Sequence, residues 1–205
     1  MGSTEKDRTQ EATSACLRDG LERHESTVAL LRGEPLRSLA MLVDTLHRTL
    51  EAGGKVLACG NGGSAADAQH FAGELVGRYR DERRALPGLA LNADGPVLTC
   101  LANDYEYAHV FARQVEALGR PGDLLLALST SGRSPNIVEA LRVARARHLT
   151  AVAFLGRDGG DARGLASLEI IVPSQETARI QECHGLMLHL LCEALDLRLK
   201  GPVTR

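Results

Sequence analysis

Five short, nearly unbroken apolar runs punctuate the chain: KVLACG at 55–60, GLALNA at 88–93, DLLLALST at 123–130, TAVAFLG at 150–156 and LEIIVP at 168–173. Such runs suit strands buried on both faces, because a half-exposed strand would alternate apolar and polar residues. Helical patterning separates them, at about 65–79, 106–118, 135–148 and 177–199. Strand and helix in alternation predict an α/β chain built on a doubly wound, parallel, five-stranded sheet flanked by helices. Two further helical patterns, LERHESTVALLRG and EPLRSLAMLVDTLHRTLEAGG, precede the first strand, and the second stops at Gly53-Gly54. They predict an N-terminal helical segment over 1–34 ahead of a core domain over 35–200. The chain reads as a single domain whose N-terminal helices pack on the core or on another subunit.

Composition narrows the function. The 205 residues carry a net charge of −2, and aromatic residues make up 3%. Both signs of charge are scattered, so no basic stripe and few stacking rings are offered to a nucleic acid. No apolar run approaches the ~20 residues of a membrane span. The start, MGSTEKDRTQEATSA, lacks the apolar centre of a secretory signal, and Lys6 stands where a myristoylation signal requires Ser or Thr. The five cysteines are scattered, with no CxxC pair, which predicts reduced, buried thiols and a cytoplasmic protein.

In open parallel sheets, ligands sit beyond the carboxyl ends of the strands. Two polar loops follow strand ends. In STSGRSPN, Ser129, Thr130, Ser131 and Ser134 supply hydroxyls and Gly132 permits a tight turn. Ser134 is placed to cap the helix that Pro135 begins. Free amides at a helix start attract an anion, and hydroxyls with little fixed charge suit a phosphate ester. A polar turn that merely caps a helix fits that stretch equally well. The other loop, Asn61-Gly62-Gly63-Ser64, lacks the Gly-Lys-Ser/Thr of a P-loop and breaks the dinucleotide GxGxxG pattern.

Two helices carry the remaining chemistry. After the glycine loop, His70 and Glu74 lie one turn apart and about 40° around the helix. Asp67 precedes them on the same side, beside an apolar stripe of Ala68, Phe71, Ala72 and Leu75. That spacing serves a metal site or a surface pair. The last helix, TARIQECHGLMLHLLCEALDLRL, is too apolar to be exposed, yet carries Gln181, His184 and His189. Gly185 costs that helix about 1 kcal/mol relative to alanine, which calls for close packing or space for a ligand.

Together CGNGGSAADAQHFAGELVGRY, LANDY, LLLALSTSGRSPNIVEAL, GRDGG and ARIQECHGLMLHLLCEALD resemble the phosphoheptose isomerase (sedoheptulose 7-phosphate isomerase) family of the sugar isomerase, or SIS, superfamily. The resemblance spans about residues 35–199. It implies a flavodoxin-like SIS fold, a homotetramer, and conversion of sedoheptulose 7-phosphate to D-glycero-D-manno-heptose 7-phosphate, the first step of nucleotide-activated heptose biosynthesis. It implies substrate contacts at Asn61, Gly62, Gly63, Ser64, Glu74, Asn103, Asp104, Ser129, Thr130, Ser131, Ser134 and Gln181. It also implies one zinc ion per subunit, held by His70, Glu74, Gln181 and His189. The ligand set rests on the resemblance, since glutamine is an uncommon zinc ligand.

The implied reaction moves a proton between adjacent carbons through an enediol. It needs a base, an acid and a group to hold charge on oxygen. Glu74 is expected as the base and His189 as its acid partner. Two residues depart from the family pattern. Arg133 stands where Asn is common, and offers phosphate a cation or points to solvent. Ala178 replaces an Asp that some members carry, leaving Asp67 or Asp104 to take any part it plays in proton transfer. Three other readings stand beside this one: a non-catalytic SIS scaffold that binds a replication initiator, a sugar-phosphate-sensing regulator, and an isomerase of another sugar phosphate. A scaffold has no need of His70, Glu74, Gln181 and His189 together, and a regulator needs a DNA-binding module that this length does not hold.

Overall fold

All five apolar runs form strands, and all pair in parallel, in the order β2-β1-β3-β4-β5. The computed structural model describes residues 2–200; Met1, where the expected N-terminal segment starts, and residues 201–205 lie outside it. In chain order the elements are α1 (Gly2–Leu30), α2 (Glu34–Glu51), β1 (Val56–Gly60), α3 (Gly63–Val76), β2 (Gly88–Ala90), α4 (Gly95–Tyr105), α5 (Ala112–Leu118), β3 (Leu124–Ser129), α6 (Pro135–Ala146), β4 (Thr150–Gly156), β5 (Leu168–Val172) and α7 (Thr177–Leu199). Short 3-10 turns lie at Tyr107–His109 and Gly160–Ala162.

Alternate residues of each strand enter opposite cores. Val56, Ala58, Leu124, Leu126, Leu128, Val152 and Phe154 face α2, α3 and α7. Leu57, Cys59, Leu125, Ala127, Ala151, Ala153 and Leu155 face α5 and α6. Burial of both faces explains why these runs are continuously apolar. At ~25 cal/mol per Å² of apolar surface, each fully buried large side chain contributes about 1.5–3 kcal/mol. Phe154, the largest inward residue of β4, is fully buried.

α4 is not among the expected helices. Asp94 caps it, its Oδ1 accepting from the Val97 amide at 3.0 Å, and Pro96 lies in its first turn. The Asp-Gly-Pro sequence reads equally as a turn, and α4 buries no residue fully, its short apolar face of Leu98, Leu101 and Ala102 being only half-buried. The helix expected over 106–118 is correspondingly divided. Glu106 has φ +70°, a 3-10 turn follows, and α5 starts at Ala112.

The expectation of buried thiols holds for Cys59, Cys183 and Cys192, whereas Cys16 and Cys100 are exposed; all five are free. Burial pushes the Cys59 thiol up to about 12, so it stays protonated. Among the described residues no helix is long and apolar enough to cross a membrane. α1 touches the core through α7. His24 Nδ1 meets Glu182 at 2.7 Å, Arg23 Nε meets Glu176 at 3.1 Å, and the Arg179 guanidinium donates to the Gly20 carbonyl.

Candidate active site

The strand order reverses direction between β1 and β3, and the crevice outside the carboxyl ends at such a reversal is where this architecture binds ligands. The glycine loop leaves β1 and the serine loop leaves β3, so the topology sets the two loops side by side. Asn61 and Asn136 join them. Asn61 Nδ2 donates to Asn136 Oδ1 and Asn136 Nδ2 donates to Asn61 Oδ1, each at 2.9 Å. The Tyr107 hydroxyl donates to Asn61 Oδ1 at 3.1 Å. Asn136 closes the STSGRSPN stretch and Tyr107 lies in no motif, and only the folded loops reveal the bond that joins them to Asn61.

Within the serine loop, two hydroxyls hold the loop's own backbone. Ser129 Oγ accepts from the Gly132 amide at 3.0 Å, and Ser131 Oγ from the Arg133 amide at 3.2 Å. Gly132 is obligatory, because its φ is +64° and a Cβ there would collide with the Gly159 backbone. Ser134 occupies the cap position of α6 as expected, but its side chain makes no capping bond. Its hydroxyl therefore remains available beside the helix start. Arg133 turns back over its own loop, its Nη1 donating to the Ser131 carbonyl at 3.2 Å. Its guanidinium grips Asp158 with two bonds, at 2.9 and 2.8 Å. That grip, with the Gly160 amide, holds the Asp158 carboxyl below the usual range. The cation is thus neutralised by its neighbour.

The glycine loop meets α7. A Cβ on Gly63 would collide with the Gln181 side-chain amide, so glycine is what allows Gln181 to lie against the loop. Ser64 is buried in the first turn of α3. Asp67 lies next along α3. Burial raises its pKa, while neighbouring His70 and the Gln181 amide pull it back. Its Oδ2 is buried without a hydrogen-bond partner. Gly185 faces it from α7, where an added Cβ would come to 4.0 Å of Asp67 Oδ1. The costly glycine therefore leaves room beside a carboxylate.

One turn further on, α3 and α7 bring their side chains together. His70 Nε2 stands 2.8 Å from His189 Nε2 and 3.5 Å from Glu74 Oε1. The two rings are set edge to face, with centroids 5.0 Å apart. Tyr79 leans on the His189 ring from the other side, at 5.8 Å. His184, by contrast, is a core residue: burial lowers its pKa to about 4, and Nε2 bonds the Leu155 carbonyl at 3.1 Å. Asn103 and Asp104 sit exposed at the end of α4, bonded to each other at 2.8 Å.

In kind, two imidazoles, a carboxylate and an amide oxygen suit zinc. Around one tetrahedral zinc, nitrogen ligands at about 2.0–2.1 Å stand roughly 3.3 Å apart. The His70–Glu74 separation already matches that spacing, while the His70–His189 pair must open by roughly 0.5 Å to reach it. Among the described residues no three His, Cys, Asp or Glu side chains already gather as a metal cluster. In kind the donors suit zinc, and His70, Glu74 and His189 already stand near one another, with Gln181 against the adjoining glycine loop.

Known proteins share this fold. A SIS domain family model matches residues 25–156. The phosphoheptose isomerase of Aromatoleum aromaticum is 48% identical over 188 residues, covering 88% of this chain and 95% of its own. The solved phosphoheptose isomerase of Neisseria gonorrhoeae superposes with a TM-score of 0.80 at 40% identity, covering 92% of this chain and 99% of that one. The structure of the Francisella tularensis phosphoheptose isomerase gives a TM-score of 0.87 at 34% identity, covering 90% and 98%. With its fold, its loops and nearly its whole length in common with these enzymes, the chain belongs to the phosphoheptose isomerase family of the SIS superfamily.

Proposed function

We propose that the protein isomerises sedoheptulose 7-phosphate to D-glycero-D-manno-heptose 7-phosphate, supplying the first intermediate of nucleotide-activated heptose biosynthesis. One observation carries the reading of the site: α3 and α7 converge His70, Glu74 and His189 beside two loops built for a phosphorylated sugar.

The loops bind one end of the substrate. The α6 start, with Ser134 and the amides around it, takes the phosphate, while Ser129 and Ser131 keep the loop in shape. Binding energy gained there positions C1 and C2 against the helices. Asn61, Gly62, Gly63, Ser64 and Thr130 shape the remaining wall, and Asn103 and Asp104 approach from α4.

Glu74 is half-buried, its side chain 20% exposed, which suits a carboxylate that reaches a substrate carbon. It removes a C1 proton. The C1–H electron pair becomes the C1–C2 double bond, and the carbonyl oxygen at C2 takes a proton to give the enediol. His189 serves as the acid for that oxygen. Return of a proton from Glu74 to C2, with loss of the C1 hydroxyl proton, leaves the aldehyde. A zinc ion that His70, Glu74, Gln181 and His189 would hold supplies Lewis-acid chemistry toward the carbonyl, and Glu74 would have to loosen from it to act as the base. Asp67 is the carboxylate placed beside Gln181, in the region that Ala178 leaves without one; Asp104 is on the exposed end of α4.

A homotetramer belongs to the same reading. Leu17 and Leu21 of α1 are 66% and 65% exposed, and a 29-residue helix with so little packing needs a neighbour to cover that face. Work in the cytoplasm on a soluble sugar phosphate, without nucleic acid or membrane, completes it. The deciding assay incubates purified protein with sedoheptulose 7-phosphate, after zinc removal and after zinc restoration, and follows aldose 7-phosphate. Zinc-dependent aldose formation is expected. A folded, zinc-loaded tetramer without turnover contradicts the substrate, and shorter ketose phosphates then become the next candidates.

A further inference from the structure

Arg83 lies in a charged connection between α3 and β2, on the far side of Glu74 from the phosphate loops. Its side chain is only 10% exposed. Nε donates to Asp196 Oδ1 at 3.1 Å. Nη1 donates to the carbonyls of Leu75 at 3.1 Å and Arg84 at 3.0 Å, and Nη2 to the carbonyl of Glu74 at 2.7 Å. Asp196, on α7 and 5% exposed, also receives the Arg80 amide at 3.3 Å. One guanidinium therefore ties the last turn of α3 to α7, and one of its bonds ends on the backbone of Glu74.

The bond pattern fits a spacer better than a source of stability. A buried ion pair is on its own weak support for a fold, because desolvation offsets its attraction. A planar, five-donor fork, however, fixes geometry in a way a flexible ammonium does not. Its charge also complements the free carbonyls of a helix C-terminus. Fixed geometry is what the reacting site requires. α3 supplies His70 and Glu74, α7 supplies Gln181 and His189, and such groups must be held to within about 0.5 Å. At one end of this seam Gln181 lies against Gly63. At the other end the Arg83–Asp196 pair closes it. Cys192, on α7 and buried, lies near Glu74, Arg83 and Asp196.

We propose that Arg83, bonded to Asp196, is a positioning residue that sets the spacing of α3 against α7 and so the placement of Glu74 relative to His189. The proposal rests on those two residues forming the reacting site. Its test uses the full chain with Arg83→Met, Arg83→Lys and Asp196→Asn. Lys55→Met serves as control, because Lys55 pairs with Asp123 at the same amino end of the sheet but bonds neither α3 nor α7. Zinc affinity is read by competition with a coloured chelator, and kcat and KM are read separately. Arg83→Met and Asp196→Asn are expected to weaken zinc about tenfold or more and to lower kcat by a similar factor. KM for the sugar phosphate should stay within about twofold, since the phosphate loops are untouched. Arg83→Lys should recover part of the loss. Lys55→Met should lower Tm alone. A folded Arg83→Met with wild-type zinc affinity and kcat, and only a Tm loss like the control, overturns the proposal. If Arg83→Met does not fold, Asp196→Asn, of nearly unchanged shape, decides the same question by the same readouts. Wild type that turns over without binding zinc refutes the metal set and leaves the clamp to be judged by kcat. Wild type that binds zinc without turnover refutes the substrate and leaves it to be judged by affinity.

Discussion

α3 and α6 begin alike and end differently. Each follows a strand at the reversal point of the sheet, each starts after a glycine-containing loop, and they cover opposite faces. α6 keeps its one buried polar residue, Asn136, in its first turn. Beyond Asn136 its buried residues are Ile137, Val138, Ala140, Leu141 and Ala144, all apolar. α3 opens on glycine and carries its polar groups down its length, at Asp67, His70 and Glu74. The first design recognises an anion at a helix start. The second delivers side chains to atoms several ångströms away. Together they hold a long substrate at one end and react it at the other.

If that division is real, substitutions on the two helices should fail in different ways. Glu74→Gln should reduce kcat by about 10²–10⁴ and leave KM nearly unchanged, as expected for a general base; steady-state kinetics on the folded variant decide it. Phe154→Ala, in the sheet between the helices, should cost about 3–5 kcal/mol in urea unfolding, because Phe154 is fully buried. Gly132→Ala should cost about 1–3 kcal/mol and raise KM, since the loop must abandon its positive φ. Ser134→Ala should raise KM with a stability change below about 0.5 kcal/mol, because its hydroxyl caps no amide. A large stability loss there would return Ser134 to the role of a cap. Arg133→Asn should have the smallest effect, leaving KM nearly unchanged, because its charge is already engaged by an exposed Asp158.

The same contrast explains what the sequence discloses. Strands buried on both faces announce themselves as apolar runs, so the sheet is readable. Hydroxyls and glycines after those runs mark the loops, because a phosphate site needs those residue types. His70 and Glu74 share a helix and are visible as a spacing. Gln181 and His189 join them only across the fold, and a glutamine carries no ligand signature of its own. Asn136, Tyr107 and Arg83 act through contacts between distant segments, so local pattern is silent about them. α4 escapes notice because its apolar face, Leu98, Leu101 and Ala102, is short and follows a turn-like Asp-Gly-Pro. Arg133 is visible as a departure from the family pattern, but its partner Asp158, twenty-five residues on, is not.

The most direct test is turnover of sedoheptulose 7-phosphate in heavy water by zinc-loaded wild type and Glu74→Gln, followed by NMR at C1 and C2. A base on α3 that moves the proton through an enediol predicts solvent deuterium at C2 of the aldose from wild type, and loss of both exchange and turnover in Glu74→Gln. Turnover of Glu74→Gln at the wild-type rate would contradict it.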